Sequence, residues 1–404
     1  MSRSPLSVLL RNRDFRRVFL AELVMFGGDW FVMIPLLGLL QRLTGHGLLG
    51  SLTLAADTGM NALLLPYAGT IADRLDRRRI MVTSNLCAIG AVGLLFLVHS
   101  GRSAWLGPVA VGGVAVAKAF YGPCVQAAMP NLVPREDLGA ANALAGSAWG
   151  TMSVLGASLG GVLATLFSPY TCFAVTAAGL VAAALLVLGV RAPMQSARER
   201  AGTHPGALHA IRESLAYLRA QPRVRALVTV KSAVGLGNGV LAVYPVLAVL
   251  LRVGDLGTGL FFAVRGAGAL IGPLLLRGIL LSRPSRLLPG LALSMGTYGC
   301  AYLVLSAVRW FPVVLVLILV AHLAGGANWA MSNVALQAEV PDALRGRVFA
   351  TDLMLATMAI ATSQLMVGAL VDSVDPWLIV AGCGSVTLVY AVGWRIVTAR
   401  QTVR

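Results

Sequence analysis

The chain has 404 residues, of which 57% are hydrophobic and 12% charged, about half the charged share of an average soluble domain. Basic residues number 32 and acidic residues 16, a formal charge of +16. So few charges cannot coat a soluble domain of this size, which excludes a cytosolic enzyme, a disordered chain and a secreted disulfide scaffold and leaves a polytopic membrane protein.

Residues 1–17 carry five Arg and no early apolar core, so they do not read as a signal peptide. The first apolar run, 18–40, is long enough to cross ~30 Å of hydrocarbon, lacks a small-residue cleavage site, and reads as a retained span. Similar runs follow at 48–69, 80–99, 104–127, 141–167 and 170–190. A polar segment intervenes, and six more runs follow at 226–251, 257–281, 287–307, 311–334, 348–371 and 376–397. The reading is an all-α membrane protein of twelve transmembrane helices, with halves at 1–190 and 226–404. Long continuous apolar runs do not suit a β-barrel, which needs short alternating strands. Segment 191–225 is the only long polar stretch; Leu208, Ile211, Leu215, Tyr217 and Leu218 give its second part the period of an amphipathic helix.

The basic residues set the orientation. With both termini on one side, 25 of them fall in the loops and tails of that side and 4 in those of the other. The rule that Lys and Arg stay inside places both termini in the cytoplasm, of a bacterial inner membrane. The positive charge then faces a lipid surface and not a nucleic acid. The five Cys all sit in apolar runs with no CxxC or Cys/His spacing, and read as small fillers; no metal site or cofactor is expected.

The two halves repeat at one offset. Gly59 and Gly266, Pro66 and Pro273, Arg79 and Arg286, and Gly139 and Gly346 are each 207 residues apart, as are Val133-Pro134 and Val340-Pro341. An offset of six spans makes the repeats parallel in the membrane, the plan of major facilitator transporters.

The loop after the second span reads Gly69-Thr-Ile-Ala-Asp73-Arg74-Leu-Asp76-Arg77-Arg78-Arg79. It resembles the loop signature of that superfamily, Gly-x-x-x-Asp-Arg-x-Gly-Arg-Arg, with Asp76 where glycine is usual. The resemblance implies a conformational gate at Gly69, Asp73, Arg74 and Arg78, with Asp73 bracing the outward-facing state against the start of the eleventh span. Lys118-Ala-Phe-Tyr-Gly122 is similar to the fourth-helix motif Arg-x-x-x-Gly. Gly156-Ala-Ser-Leu-Gly160-Gly161 is similar to the antiporter motif Gly-Pro-x-x-Gly-Gly, with Ala157 in place of proline, and implies a packing motif at Gly156, Gly160 and Gly161. The stretches NRDFRRVFLAELVMFGGDWF and PNLVPREDLGAANAL resemble the drug/proton antiporter branch that holds macrolide-efflux and enterobactin-export proteins.

An ionisable side chain at mid-membrane costs at least ~2.5–3.5 kcal/mol and is usually functional or paired. Glu22 and Asp29 share nearly one face of the first span, with Asp29 near the midplane. The resemblance implies a central cavity lined by spans 1, 4, 7 and 10, and so by Glu22, Asp29, Lys118 and Lys231. Two acids and a base there make a proton switch, because burial and a nearby cation act on a carboxyl in opposite senses. A cationic or polar substrate would compete with the proton for Asp29. The bland readings are that Glu22 pairs with Arg17 or Lys118, that Lys231 reaches the headgroups along its stem, and that Asp57 and Arg265 are structural partners outside the cavity. Trp30, Tyr121, Asn238, Tyr244, Asn328 and Trp329 are the candidates for substrate contact.

The reading is therefore a monomeric, proton-coupled secondary transporter that exports an amphipathic small molecule such as a drug, antibiotic or siderophore-like compound. Its alternatives are an importer, or a lysophospholipid or metabolite flippase, on the same fold. A polytopic membrane enzyme is remote: the five His are scattered, and the sequence holds no HExxH and no nucleotide-binding loop.

Overall fold

The computed structural model describes residues 5–195, 207–281 and 286–399, and among them there is no strand. A short helix α1 (Pro5–Arg11) precedes six long ones: α2 (Arg13–Thr44), α3 (Leu48–Arg74), α4 (Arg77–Leu95), α5 (Leu106–Leu132), α6 (Leu138–Leu166) and α7 (Pro169–Leu188). The amphipathic segment forms α8 (Ala207–Ala220), which buries Leu218 against Val224 and Leu227; residues 196–206 and the side chains of Leu208 and Ile211 lie outside the described set. The seventh span is α9 (Pro222–Gly237), a 3-10 segment (Asn238–Val243) and α10 (Tyr244–Leu250). Then come α11 (Gly254–Leu281), α12 (Leu287–Ser306), α13 (Phe311–Glu339), α14 (Asp342–Leu370) and α15 (Pro376–Thr398).

Among the described residues eleven spans are long and apolar enough to cross a membrane, and α6 is the twelfth, with its described apolar part at Val154–Leu166. The outer surface confirms the solvent. Leu274, Leu293 and Val389 are each more than 70% exposed. In water such a coat would aggregate; in hydrocarbon it is the normal exterior.

Local chemistry sets the helix ends. Gly45, at φ 69°, takes the left-handed cap that closes α2. Ser168 caps α7 ahead of Pro169, and Asp375 caps α15 ahead of Pro376, the residue that suits a first turn. The seventh span breaks for a stated reason. Pro245 has no N–H to donate to Leu241, whose carbonyl instead accepts from Tyr244 in a tighter turn. Ser363 of α14 enters the break, accepting from Gly239 N (3.0 Å) and donating to the Leu236 carbonyl.

The 207-residue offset extends to the helix bounds. Leu48–Arg74 moved by 207 becomes 255–281, against the observed Gly254–Leu281. Pro169–Leu188 becomes 376–395, against Pro376–Thr398. The chain is thus two parallel six-helix repeats. Most helices run past their apolar windows at the Arg-rich end, and Lys118 lies midway along α5.

Candidate functional site

Three helices of the first repeat place charge in the interior. Lys118 of α5 donates to Asp29 Oδ2 of α2 at 2.5 Å and to Asp57 Oδ1 of α3 at 2.6 Å. All three side chains are largely enclosed, at 4%, 8% and 18% exposure. One ammonium between two carboxylates carries a net charge of −1 with both acids ionised and none after one proton is taken up. In hydrocarbon that difference is large, so the cluster has a chemical place for one proton. A cavity of ≈ 10 Å³, the size of one water, lies beside Asp29 and is lined by Gly28, Val114 and Thr176.

The sequence-predicted trio is thereby divided. Asp29 and Lys118 meet. Glu22 lies seven residues toward the Arg-rich end, about 10 Å along the helix, half-buried and with no ion pair among the described residues. Arg17 pairs with Asp14 at 3.0 Å instead. Asp57, expected to be a structural partner outside the cavity, takes the third place. An acid at mid-span was the available signal; only the rotation of α3 about its axis reveals its partner.

The second repeat holds a separate pair. Lys231 of α9 binds Asp352 of α14 and Asn333 Oδ1 of α13 (2.7 Å), with Trp329 5.2 Å below its ammonium. Lys231 is 1% exposed and does not reach the headgroups, because a carboxylate lies within reach inside the bundle. Sequence reasoning passed over Asp352. Asp352→Ala leaves an uncompensated ammonium in the interior and is expected to destabilise the chain by about 3–5 kcal/mol. Thermal melts in detergent check this; an unchanged midpoint would show that the pair contributes nothing.

The substrate candidates scatter. Trp30 lies against Phe262 of α11 (ring centroids 5.6 Å) and under the guanidinium of Arg265 (5.2 Å). Tyr244 packs on Phe262 and shares a hydrogen bond with Tyr302 (2.6 Å), which in turn meets His322 Nε2 at 2.9 Å. Trp30 and Tyr244 thus belong to one aromatic cluster, which bridges the repeats. Asn238 opens the 3-10 break. Tyr121 is enclosed against Phe26, and Trp329 sits under Lys231. Asn328 donates to Leu291 O and Ser294 Oγ of α12, a helix-packing contact.

The two repeats are clasped at the end opposite the Arg-rich loops. Arg42 binds Asp255 at 2.6 Å. Asp372 accepts from Gly47 N (2.6 Å) and Leu48 N (3.3 Å), capping α3 from the other repeat. A Cβ on Gly161 would lie 3.1 Å from Gly259 Cα, and one on Gly368 would lie 2.7 Å from Ser51 Cβ. Gly161 and Gly368 are themselves 207 apart, so the two seams are copies of one another. Gly156 and Gly160 pack within one repeat, where a Cβ would meet the carbonyls of Gly27 (2.7 Å) and Phe31 (2.6 Å). At the Arg-rich end, no described residue lies within 4 Å of a Cβ placed on Gly69 or Gly346.

The signature loop is anchored by a residue the sequence did not single out. Arg77, 3% exposed, donates to the carbonyls of Ala72 (3.3 Å), Ala127 (2.9 Å) and Met194 (2.9 Å). Arg78 reaches Ala192 O at 3.5 Å. Asp76 stands where glycine is usual because it caps α4, accepting from Arg79 N at 2.9 Å. The side chains of Asp73 and Arg74 lie outside the described set.

A model of the Major Facilitator Superfamily matches residues 18–356. The chain is 27% identical over 359 residues to the enterobactin exporter EntS of Citrobacter koseri, covering 85% of this chain and 82% of that one. It is 29% identical over 332 residues to an uncharacterized MFS-type transporter of Mycobacterium tuberculosis, covering 77% and 73%. A bacterial homolog of the human lysosomal transporter Spinster superposes with a TM-score of 0.70 at 16% identity, over 97% of this chain and 94% of that one. A mutant of the nucleoside transporter NupG gives 0.74 at 11%, over 95% and 99%. At those identities the likeness speaks for the fold alone. Fold, repeat, loop signature and family match agree: the chain belongs to the Major Facilitator Superfamily and is a multi-pass membrane transporter of small molecules, not an enzyme.

Proposed function

We propose that the chain is a proton-coupled exporter of an amphipathic small molecule, working as a single chain in a bacterial inner membrane. The observation that carries the reading is the Asp29–Lys118–Asp57 cluster, a site with room for one proton in an apolar interior. The similarity to an enterobactin exporter supports the outward direction. With the Arg-rich end in the cytoplasm, the clasp at the opposite end makes this the inward-facing state. Asp73 then belongs to the brace of the other state, beside the start of α14. Proton and substrate each bias the same two-state bundle, and coupling is the difference between their preferences.

Inverted membrane vesicles test the reading with a panel of amphipathic fluorescent compounds. Accumulation of at least one should require an acid-inside gradient and collapse when an ionophore removes it. Accumulation that ignores the gradient, or transport in the reverse sense, points to a flippase or an importer and overturns the proposal.

The orientation has its own check. On a background lacking Cys87 and Cys300, a cysteine at Ser196 is expected to resist an impermeant thiol reagent in intact cells and to label in inverted vesicles. Labelling from outside reverses the topology.

A further inference from the structure

Arg265 lies in α11, at the seam between the repeats. Its Nε and Nη1 are enclosed and have no hydrogen-bond partner among the described residues. Its guanidinium sits over Trp30 of the opposite repeat, 5.2 Å from the ring centroid. A guanidinium is charged at every physiological pH, and burying one without an acceptor is among the costliest things a fold can do. The neighbouring acids are already engaged. Asp29, next to Trp30, is held by Lys118, and Asp255, at the start of α11, is held by Arg42. The hydroxyls around Arg265 do not supply an anion either. Tyr244, Tyr298 and Tyr302 lie within its electrostatic reach. Tyr244 and Tyr302 bond to each other, and the Tyr298 hydroxyl is enclosed, with its ring against Tyr302 and His322.

Deepening the exporter reading, we propose that Arg265 docks an oxyanion, a carboxylate or phenolate, borne on an aromatic substrate. The guanidinium fork matches such a group with two parallel hydrogen bonds. The Tyr298 hydroxyl is a further donor within its electrostatic reach. Trp30, Phe262 and Tyr244 form the apolar wall on which the ring system packs: Trp30 and Tyr244 lie 5.6 and 5.2 Å from Phe262 between centroids. Arg265 and Trp30 come from different repeats, so the ligand sits on the surfaces that separate when the bundle changes state. An anion does not compete with a proton for Asp29. With this ligand, exchange runs through the movement of the seam and not through sharing of one carboxylate. The proposal rests on the exporter reading for passage of the ligand, not for its binding.

The test uses the full chain in detergent, with 2-naphthoate and its neutral analogue 2-naphthamide as probes, titrated by calorimetry. Wild type is expected to prefer the carboxylate about 10- to 100-fold, the worth of a charge-assisted pair. Arg265→Gln should erase the preference, weakening 2-naphthoate far more than 2-naphthamide, whose binding should stay within a few-fold. Arg265→Lys should keep part of it, as a point charge without the fork. Without ligand, Arg265→Gln should melt no lower than wild type, since it removes a buried charge with no hydrogen-bond acceptor at Nε or Nη1 among the described residues. Equal binding of the two probes by wild type, or binding of neither at millimolar concentration, overturns the site. So does a preference that survives Arg265→Gln, or a lowered melting point in that variant with the preference intact. The two readings fail separately. Gradient-independent transport with the carboxylate preference intact counts against the exporter alone; gradient-driven transport with no preference counts against the anion site alone.

Discussion

Asp29→Asn is expected to abolish accumulation against a gradient while leaving substrate binding within a few-fold. The asparagine oxygen still accepts from Lys118, and Lys118 keeps Asp57 at 2.6 Å, so the ammonium is never left alone and the fold should survive. The cluster's charge, however, no longer changes. It stays neutral with Asp57 ionised, as the wild-type cluster is after taking up one proton. A transporter fixed in that form can still exchange substrate down its gradient, but nothing ties a proton to the cycle. In inverted vesicles the accumulation ratio should fall to one, while downhill exchange of preloaded substrate continues. Undiminished accumulation would move the coupling role to Asp57 or Glu22. Loss of both accumulation and exchange, with poor expression, would mean that Asp29 is structural.

Gly161→Leu should wedge the clasped end open. A Cβ there already stands 3.1 Å from Gly259 Cα and 3.1 Å from Asp255 O, both backbone atoms that cannot rotate away. The further carbons of leucine fit only if α6 and α11 separate. Overpacking costs about 1–3 kcal/mol, and each 1.4 kcal/mol is a factor of ten between two states. Transport should fall by about 5- to 150-fold. The physical readout is a cysteine at Ala157, which is enclosed at this seam. From the clasped end, an impermeant thiol reagent should leave it unmodified in the parent and modify it in the Gly161→Leu background. Equal protection in both would show that the seam accommodates leucine without opening. Gly160→Leu is a different lesion, because it meets the Phe31 carbonyl within one repeat and should reduce folded protein instead.

Much of the architecture was legible because the membrane imposes it. Span number rests on apolar length, and the repeat shows wherever proline or Val-Pro recurs at the offset. Helix ends were less legible, since α5 and α13 run on through residues too polar for an apolar window. The site was only half legible. Asp29 and Lys118 stand out as charges in apolar runs. Their pairing with Asp57, and that of Lys231 with Asp352, depends on how three helices turn about their own axes, which composition does not encode. Arg265 is a case of the same kind: its span number names no partner, and packing lays it over Trp30. Asp76 is the opposite case. The one departure from the loop signature turns out to cap α4.

The cap on α3 is borrowed. Gly47 has no side chain to receive the first amides of that helix, and the acceptor is Asp372, which belongs to the other repeat. When the clasp opens, that carboxylate leaves with α14, and the amides of Gly47 and Leu48 lose their acceptor together with the negative charge that suits a helix start. The first turn of α3 is then free to fray, and its amide protons become exchangeable with solvent. The start of α3 is therefore held by the other repeat and not by its own sequence alone: its first turn depends on a carboxylate more than 320 residues away along the chain.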